Sequence, residues 1–202
     1  ELISLHFASG LMQGLAGTPM KEGIDTALRR IEMALPVQVL EHVERTRIAL
    51  QVKAEPAKDY HRQAPIVEKL QRAIADRRVV EVTYKAYGRT RADRHDFRPY
   101  LMTWSDGTLY LIGWSELRSA MRTFALERVR DVRVHDRTFA LPAGWSGERY
   151  LRESFGIWRD AALYPGPGTR RAPYTVRIDF TAAAAQRVRE RRWHPTQRLH
   201  AL

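Results

Sequence analysis

Cysteine is absent from the 202 residues, which excludes a disulfide framework, a thiol nucleophile and a cysteine-ligated zinc. Lysine is scarce: Lys21, Lys53, Lys58, Lys69 and Lys85 are five of the 34 basic residues, and the other 29 are arginine. No apolar run approaches the ~20 residues a membrane-spanning helix needs, and the N-terminus lacks the basic-then-apolar layout of a secretory signal. A Gly-rich phosphate loop, a Gly-x-Ser-x-Gly elbow and a His-x-x-x-His pair are all missing. The histidines (His6, His42, His61, His95, His135, His194, His200) are scattered. His95 and Asp96 are neighbours on a predicted strand, so their side chains point to opposite faces. The pair Asp131 and Asp136 has no residue nearby to complete an acid–base site. The sequence therefore offers no catalytic residue, no metal ligand set and no cofactor site, and the chain is expected not to be an enzyme.

What is present is positive charge. The formal net charge is +11 and the isoelectric point about 10.4. A guanidinium fits phosphate with a planar fork and stacks on bases, so an arginine excess favours a nucleic-acid partner. A genome rich in G and C would also raise the Arg/Lys ratio, but it leaves the net charge unexplained. The lack of cysteine and of a membrane span suits a reducing cytoplasm and no membrane partner. The chain starts at Glu1 and stops at Leu202 just after a helical pattern, which reads as a fragment at both ends.

Along the chain the patterning changes several times. Leu5, Ala8, Met12 and Leu15 keep helical spacing up to Gly17; Thr18-Pro19 then reads as a cap followed by proline in the first turn. A second helix carries Ile24, Leu28, Ile31 and Leu35 and stops at Pro36, and a third runs from Val37 to about Arg47. Residues 53–63, KAEPAKDYHRQ, show no apolar period and read as a linker or mobile loop. Pro65 opens a helix with Ile66, Leu70, Ala73 and Ile74 on its apolar face. Strands are predicted at Val79–Tyr84, His95–Thr103, Leu109–Trp114, Ala120–Leu126 and Val129–Val134, separated by turn residues. A short helix is expected from Glu148 to Ile157 using Leu151, Phe155 and Tyr150, then a Pro/Gly/Arg-rich connector over 161–173. The alternation Tyr174, Val176, Ile178, Phe180 predicts a strand, and Thr181 a cap for a helix from Ala182 to about Arg192.

The fold class is thus α+β: an N-terminal helical bundle segment, a central five-stranded antiparallel barrel of Sm-like or SH3-like kind with a preceding helix, and a partial α/β C-terminal extension. The boundaries expected are 1–52 for a helical dimerisation segment, 53–64 for a linker, 65–138 for the barrel and 139–202 for the extension. The stretch Asp106–Arg128 reads as a hairpin with Leu109 and Leu111 facing the core. Its arginines and tyrosine suit a phosphate, a nucleotide or a single strand. Arg89, Arg91 and Arg94, after Tyr87-Gly88, form a second basic cluster that would steer an anionic ligand.

Leu109-Tyr110-Leu111, Arg122-Thr123-Phe124 and Leu126-Glu127-Arg128-Val129, in that order behind one helix, resemble a WYL domain, the effector-sensing module of many bacterial transcription regulators. The resemblance covers roughly Ala64 to Val134. Flanking it, Gly17-Thr18-Pro19 resembles the helical segment that follows the winged helix-turn-helix in such regulators, and Arg152–Ile157 with Arg189–Pro195 resembles the WCX extension. Leu109 stands where the family has its namesake tryptophan, and no winged helix-turn-helix is found. The resemblance implies a ligand surface on Tyr110, Arg122 and Arg128, to which the sequence adds Arg98, Tyr100 and Trp104. It implies a homodimer in which an effector controls binding of promoter duplex DNA by a domain outside this chain, and the basic and aromatic hairpin makes that effector single-stranded DNA or another oligonucleotide, arising from DNA damage or invasion. A nucleotide sensor and a constitutive, nonspecific Sm-like nucleic-acid module are the competing readings.

Overall fold

A computed structural model describes residues 1–47, 52, 58–154, 156–157 and 175–200. Helices α1 (Leu2–Leu11), α2 (Pro19–Met33) and α3 (Val37–Arg47) precede α4 (Ala64–Ala75), and the strands follow as β1 (Arg78–Tyr84), β2 (Asp93–Ser105), β3 (Thr108–Ser115), β4 (Ala120–Ala125) and β5 (Val129–Thr138). Two short helices, α5 (Gly147–Arg152) and α6 (Ala182–Arg189), come last. Thr18 caps α2 as its sequence predicts, its side chain accepting from the Lys21 N–H, with Pro19 in the first turn.

The five strands are antiparallel in the order β4-β3-β2-β1-β5. The sheet is open, which corrects the expected closed barrel: after Ala125 a 3-10 turn, Leu126–Arg128, redirects the chain, and β5 pairs with β1 instead of β4. Edges therefore remain on β4 and β5. The edge strand β5 carries Arg130, Asp131, Arg133 and Arg137, and charge of this kind discourages pairing with another chain.

Register decides which side chains share a face. Pairing of Leu111 with Phe124 and Met102, and of Val80 with Phe97 and Val134, puts one set of side chains under α4. There Val67, Leu70 and Ala73 of α4 meet Val80, Val82, Phe97, Leu109, Leu111 and Leu126 in the main core. Each fully buried aliphatic side chain in it contributes about 1.5–3 kcal/mol. Segment 53–63, expected to be a linker, in part belongs to this core; residues 53–57 lie outside the described residues. Tyr60 is fully buried, and its hydroxyl oxygen accepts the Leu109 N–H at 2.9 Å. A single aromatic in a polar run carries no periodic signal, which is why its role is invisible in the sequence.

The opposite face is also covered. Ile112 packs with Tyr150 and Ile157, while Val79, Tyr100 and Phe139 gather beside Trp145. Coverage on both sides explains why β3 is apolar almost throughout. In β2 the register shifts between Pro99 and Leu101, leaving Tyr100 unpaired in a bulge. Proline cannot donate to a ladder, and the bulge accommodates it.

Toward the C-terminus, α5 buries Tyr150; Phe155, the 161–173 connector and Tyr174 lie outside the described residues. Residues 175–181 form no strand, contrary to the alternation, and Val176, Ile178 and Phe180 are exposed. A strand exists only by pairing, and among the described residues this segment has no partner. The helix after it forms from Ala182 but ends at Arg189. No helix among the described residues is long and apolar enough to cross a membrane.

Candidate nucleic-acid interface

The site grows from the open edge of the sheet. Because β4 has no outer neighbour, the end of β1 and the Leu126–Arg128 turn come to lie beside it, enclosing a shallow cleft of about 90 Å³. Its walls are Lys58, Tyr84, Tyr110, Thr123, Ala125, Glu127 and Arg128. Lys58 reaches in from the segment before α4, hydrogen-bonding Thr108 Oγ1 at 2.6 Å and pairing with Glu127. Glu127 Oε1 takes that lysine, and Oε2 is buried without a hydrogen-bond partner among the described residues. The Tyr84 ring rests on Phe124 at 4.5 Å, which anchors the aromatic wall to the core. Arg128 spans the rim, its guanidinium 5.5 Å from the Tyr87 ring centroid. A cleft this size is below the ~300–1,000 Å³ of pockets that engulf small molecules. Its lining carries both signs of charge, the Lys58–Glu127 pair and the Arg128 guanidinium.

Of the six residues expected to bind, the structure brings Tyr110 and Arg128 together in this cleft. Arg122 is on the other face of β4: Tyr110 pairs with Ala125, Arg122 lies three residues from that partner, and side chains alternate. It shares the α4 side of the sheet with Gly113, Phe124 and His95. His95 is buried, 5.1 Å from the Phe124 ring and 3.4 Å from Ser115 Oγ. Burial holds its imidazole below the ordinary range despite Asp93, and the positive charges of Arg118 and Arg122 act in the same direction.

Arg98 is committed elsewhere. Its Nε donates to Glu116 at 3.1 Å, in a cluster where Arg137 bridges Glu116 and Asp96. Burial pushes the Glu116 carboxyl up, but the hydrogen bond from Arg98 and the charge of Arg137 hold it below the usual carboxylate range. Tyr100 is buried against Phe139 and Trp145, with ring centroids at 5.6 and 4.9 Å. Trp104 packs edge-on to Tyr60, and a Cβ on Gly14 would come within 2.4 Å of its ring, so the chain passes directly over it. Tyr100 is thus enclosed by its own core, while Trp104 is partly buried against the main core.

Lys58, Tyr84 and Thr123 escaped the sequence reading. Lys58 lies in a segment whose composition reads as a linker, and Tyr84 and Thr123 meet at the cleft through the tertiary arrangement of β1 and β4, which leaves no mark in local sequence. The cluster Arg89, Arg91 and Arg94 after Tyr87-Gly88 is legible as charge in the sequence, and the exposed aromatic beside it is the further signal.

Residues 65–134 match the family model of the WYL domain. Among solved structures, proteasome accessory factor B/C (PafBC) of Arthrobacter aurescens is similar at 22% identity and a TM-score of 0.39, over 46% of this chain and 14% of that chain. No curated protein matches the chain.

Proposed function

With residues 65–134 a WYL domain, we propose that the chain is the effector-sensing region of a bacterial transcription regulator and that its effector is single-stranded nucleic acid, in the first place single-stranded DNA. The observation that carries this reading is the edge cleft: two tyrosine rings and Arg128, with the Lys58–Glu127 pair in the wall, around a volume of about 90 Å³. That is room for a phosphate but not for a nucleotide, so a longer anionic chain engages it better than an engulfed small molecule. The net charge of +11 attracts such a chain without sequence preference. Binding across a homodimer would bias it toward one geometry, and control of promoter DNA by a domain outside this chain requires a coupling of typically ~1–3 kcal/mol between the two ligands.

A length series tests the effector. Affinity for single-stranded oligonucleotides, read by fluorescence anisotropy, is expected to climb over several nucleotides and to fall steeply with salt. Arg128→Ala is expected to weaken binding about tenfold or more, the worth of a charge-assisted hydrogen bond, whereas Arg98→Ala acts weakly because Glu116 already holds that side chain. Affinity that stays flat from one nucleotide upward would instead support a nucleotide sensor. Promoter binding by the full-length regulator that is unchanged by the oligonucleotide would leave a constitutive binding module.

A further inference from the structure

We infer that the loop between β1 and β2 is a nucleobase platform on which Tyr87 stacks one base of the bound strand, while the adjacent Arg128 holds a neighbouring phosphate in the edge cleft. This rests on the reading of the domain as a single-strand binder and names the residue that contacts the base. Tyr87 is 88% exposed, an extreme position for a large aromatic side chain. It contributes no core packing, so the fold gives no reason for a ring there.

The exposure is built into the loop. The Arg89 N–H donates to the Ala86 carbonyl at 3.1 Å, closing a four-residue turn with Tyr87 at its first corner and Gly88 at its second. Gly88 has φ +73°, the left-handed conformation that a type II turn needs at that corner and that other residues resist. The turn is tied to the cleft by the Lys85 N–H, which donates to the Arg128 carbonyl at 3.1 Å. Arg128 then lays its guanidinium toward the Tyr87 ring, 5.5 Å from the centroid. A cation against an aromatic ring is the arrangement that single-strand binders use beside a stacked base.

The charge around the ring fixes the class of occupant. Arg89, Arg91 and Arg94 are exposed and have no ion-pair partner among the described residues. Uncompensated guanidinium groups in the same loop and at the start of β2, with Arg128 beside the ring, suit a base flanked by phosphates. A duplex keeps its bases stacked on one another and cannot supply a free ring face, so the occupant is an unpaired strand.

The test compares the intact protein with Tyr87→Ala and Tyr87→Trp for binding to an oligothymidylate of about 12 nucleotides, within the range of single-strand sites, and to an abasic strand of equal length. Tyr87→Ala is expected to lower affinity for the thymidylate about 5- to 100-fold, and Tyr87→Trp to restore it. The salt dependence of Tyr87→Ala stays as in the parent protein, because no phosphate contact is removed. The abasic strand binds parent and Tyr87→Ala alike. The thermal midpoint of Tyr87→Ala is also unchanged, since the ring is solvent-exposed. Binding of the thymidylate by Tyr87→Ala within about twofold of the parent, or an equal loss on the abasic strand, overturns the platform. If the parent protein binds neither strand, the single-strand reading itself fails and the platform with it.

Discussion

Tyr60 shows how much one hydroxyl can matter in this fold. Its oxygen is the acceptor for the buried Leu109 N–H at 2.9 Å. Tyr60→Phe keeps the ring packing and leaves that N–H without a partner, an expected cost of about 1–3 kcal/mol in urea or thermal unfolding. The same residue sets a pH dependence. Burial pushes its pKa up to about 12, with the negative charge of Glu127 adding to the rise and the Leu109 hydrogen bond opposing it. The phenol ionises in the unfolded chain near its ordinary ~10 and in the folded chain only near the raised value, so the unfolded state binds fewer protons between the two. Stability contributed by the neutral phenol is complete below pH ~10 and declines by up to about 2–3 kcal/mol toward pH ~12. The difference in stability between the parent and Tyr60→Phe should therefore shrink as pH rises through this window. A difference that stays constant would show that the buried hydroxyl does not set this alkaline dependence. Arg122 makes the same point: the sequence shows an arginine on a strand near Tyr110, and only the Tyr110–Ala125 pairing puts the two on opposite faces.

Among the elements, the β2–β3 pair has the least tolerance. A Cβ added at Gly113 would lie 2.1 Å from the Arg98 carbonyl oxygen and 2.7 Å from the Phe97 ring, beside the bulge that accommodates Pro99. Backbone cannot yield as a flexible side chain does. Gly113→Ala is therefore expected to lower stability by about 1–3 kcal/mol or more, measured by chemical denaturation, whereas alanine at the unobstructed Gly23 of α2 should be neutral or stabilising. The positions of most helices and strands were legible beforehand. Thr18-Pro19 sets the start of α2, Pro36 separates α2 from α3, and Asp106-Gly107 turns β2 into β3 because each residue acts on its own backbone. Barrel closure was not legible, because it depends on whether β5 meets β4 or β1. The strand at 175–181 failed for the same reason: alternation states which face would be apolar but provides no pairing partner.

For the whole molecule, the core does not end where the WYL match ends. Tyr60 lies outside residues 65–134, as do Leu15, Met12 and Met20, yet all pack into or against the main core. A fragment beginning at residue 65 would open the space filled by Tyr60 and lose the Lys58–Glu127 pair. It is expected to melt lower than a fragment beginning at residue 58, by an amount comparable to a large-to-small core substitution of about 3–5 kcal/mol. Equal melting of the two would show that the segment before α4 is dispensable. The same segment carries Lys58 into the cleft, so stability and site depend together on residues that local patterning assigns to a linker.

By itself the sequence determined the order of the helices and of the five sheet strands, the Leu109/Leu111 core positions, the basic character of the molecule and the resemblance to the WYL domain, since these follow from local propensity, periodicity and composition. The site required tertiary structure. Whether an aromatic residue stacks on a ligand or on its own core depends on what covers it: Trp145 and Phe139 cover Tyr100, the chain at Gly14 covers Trp104, and Tyr87 stays exposed with the Arg128 guanidinium near its ring. Coverage is a contact between distant parts of the chain, and no local reading contains it.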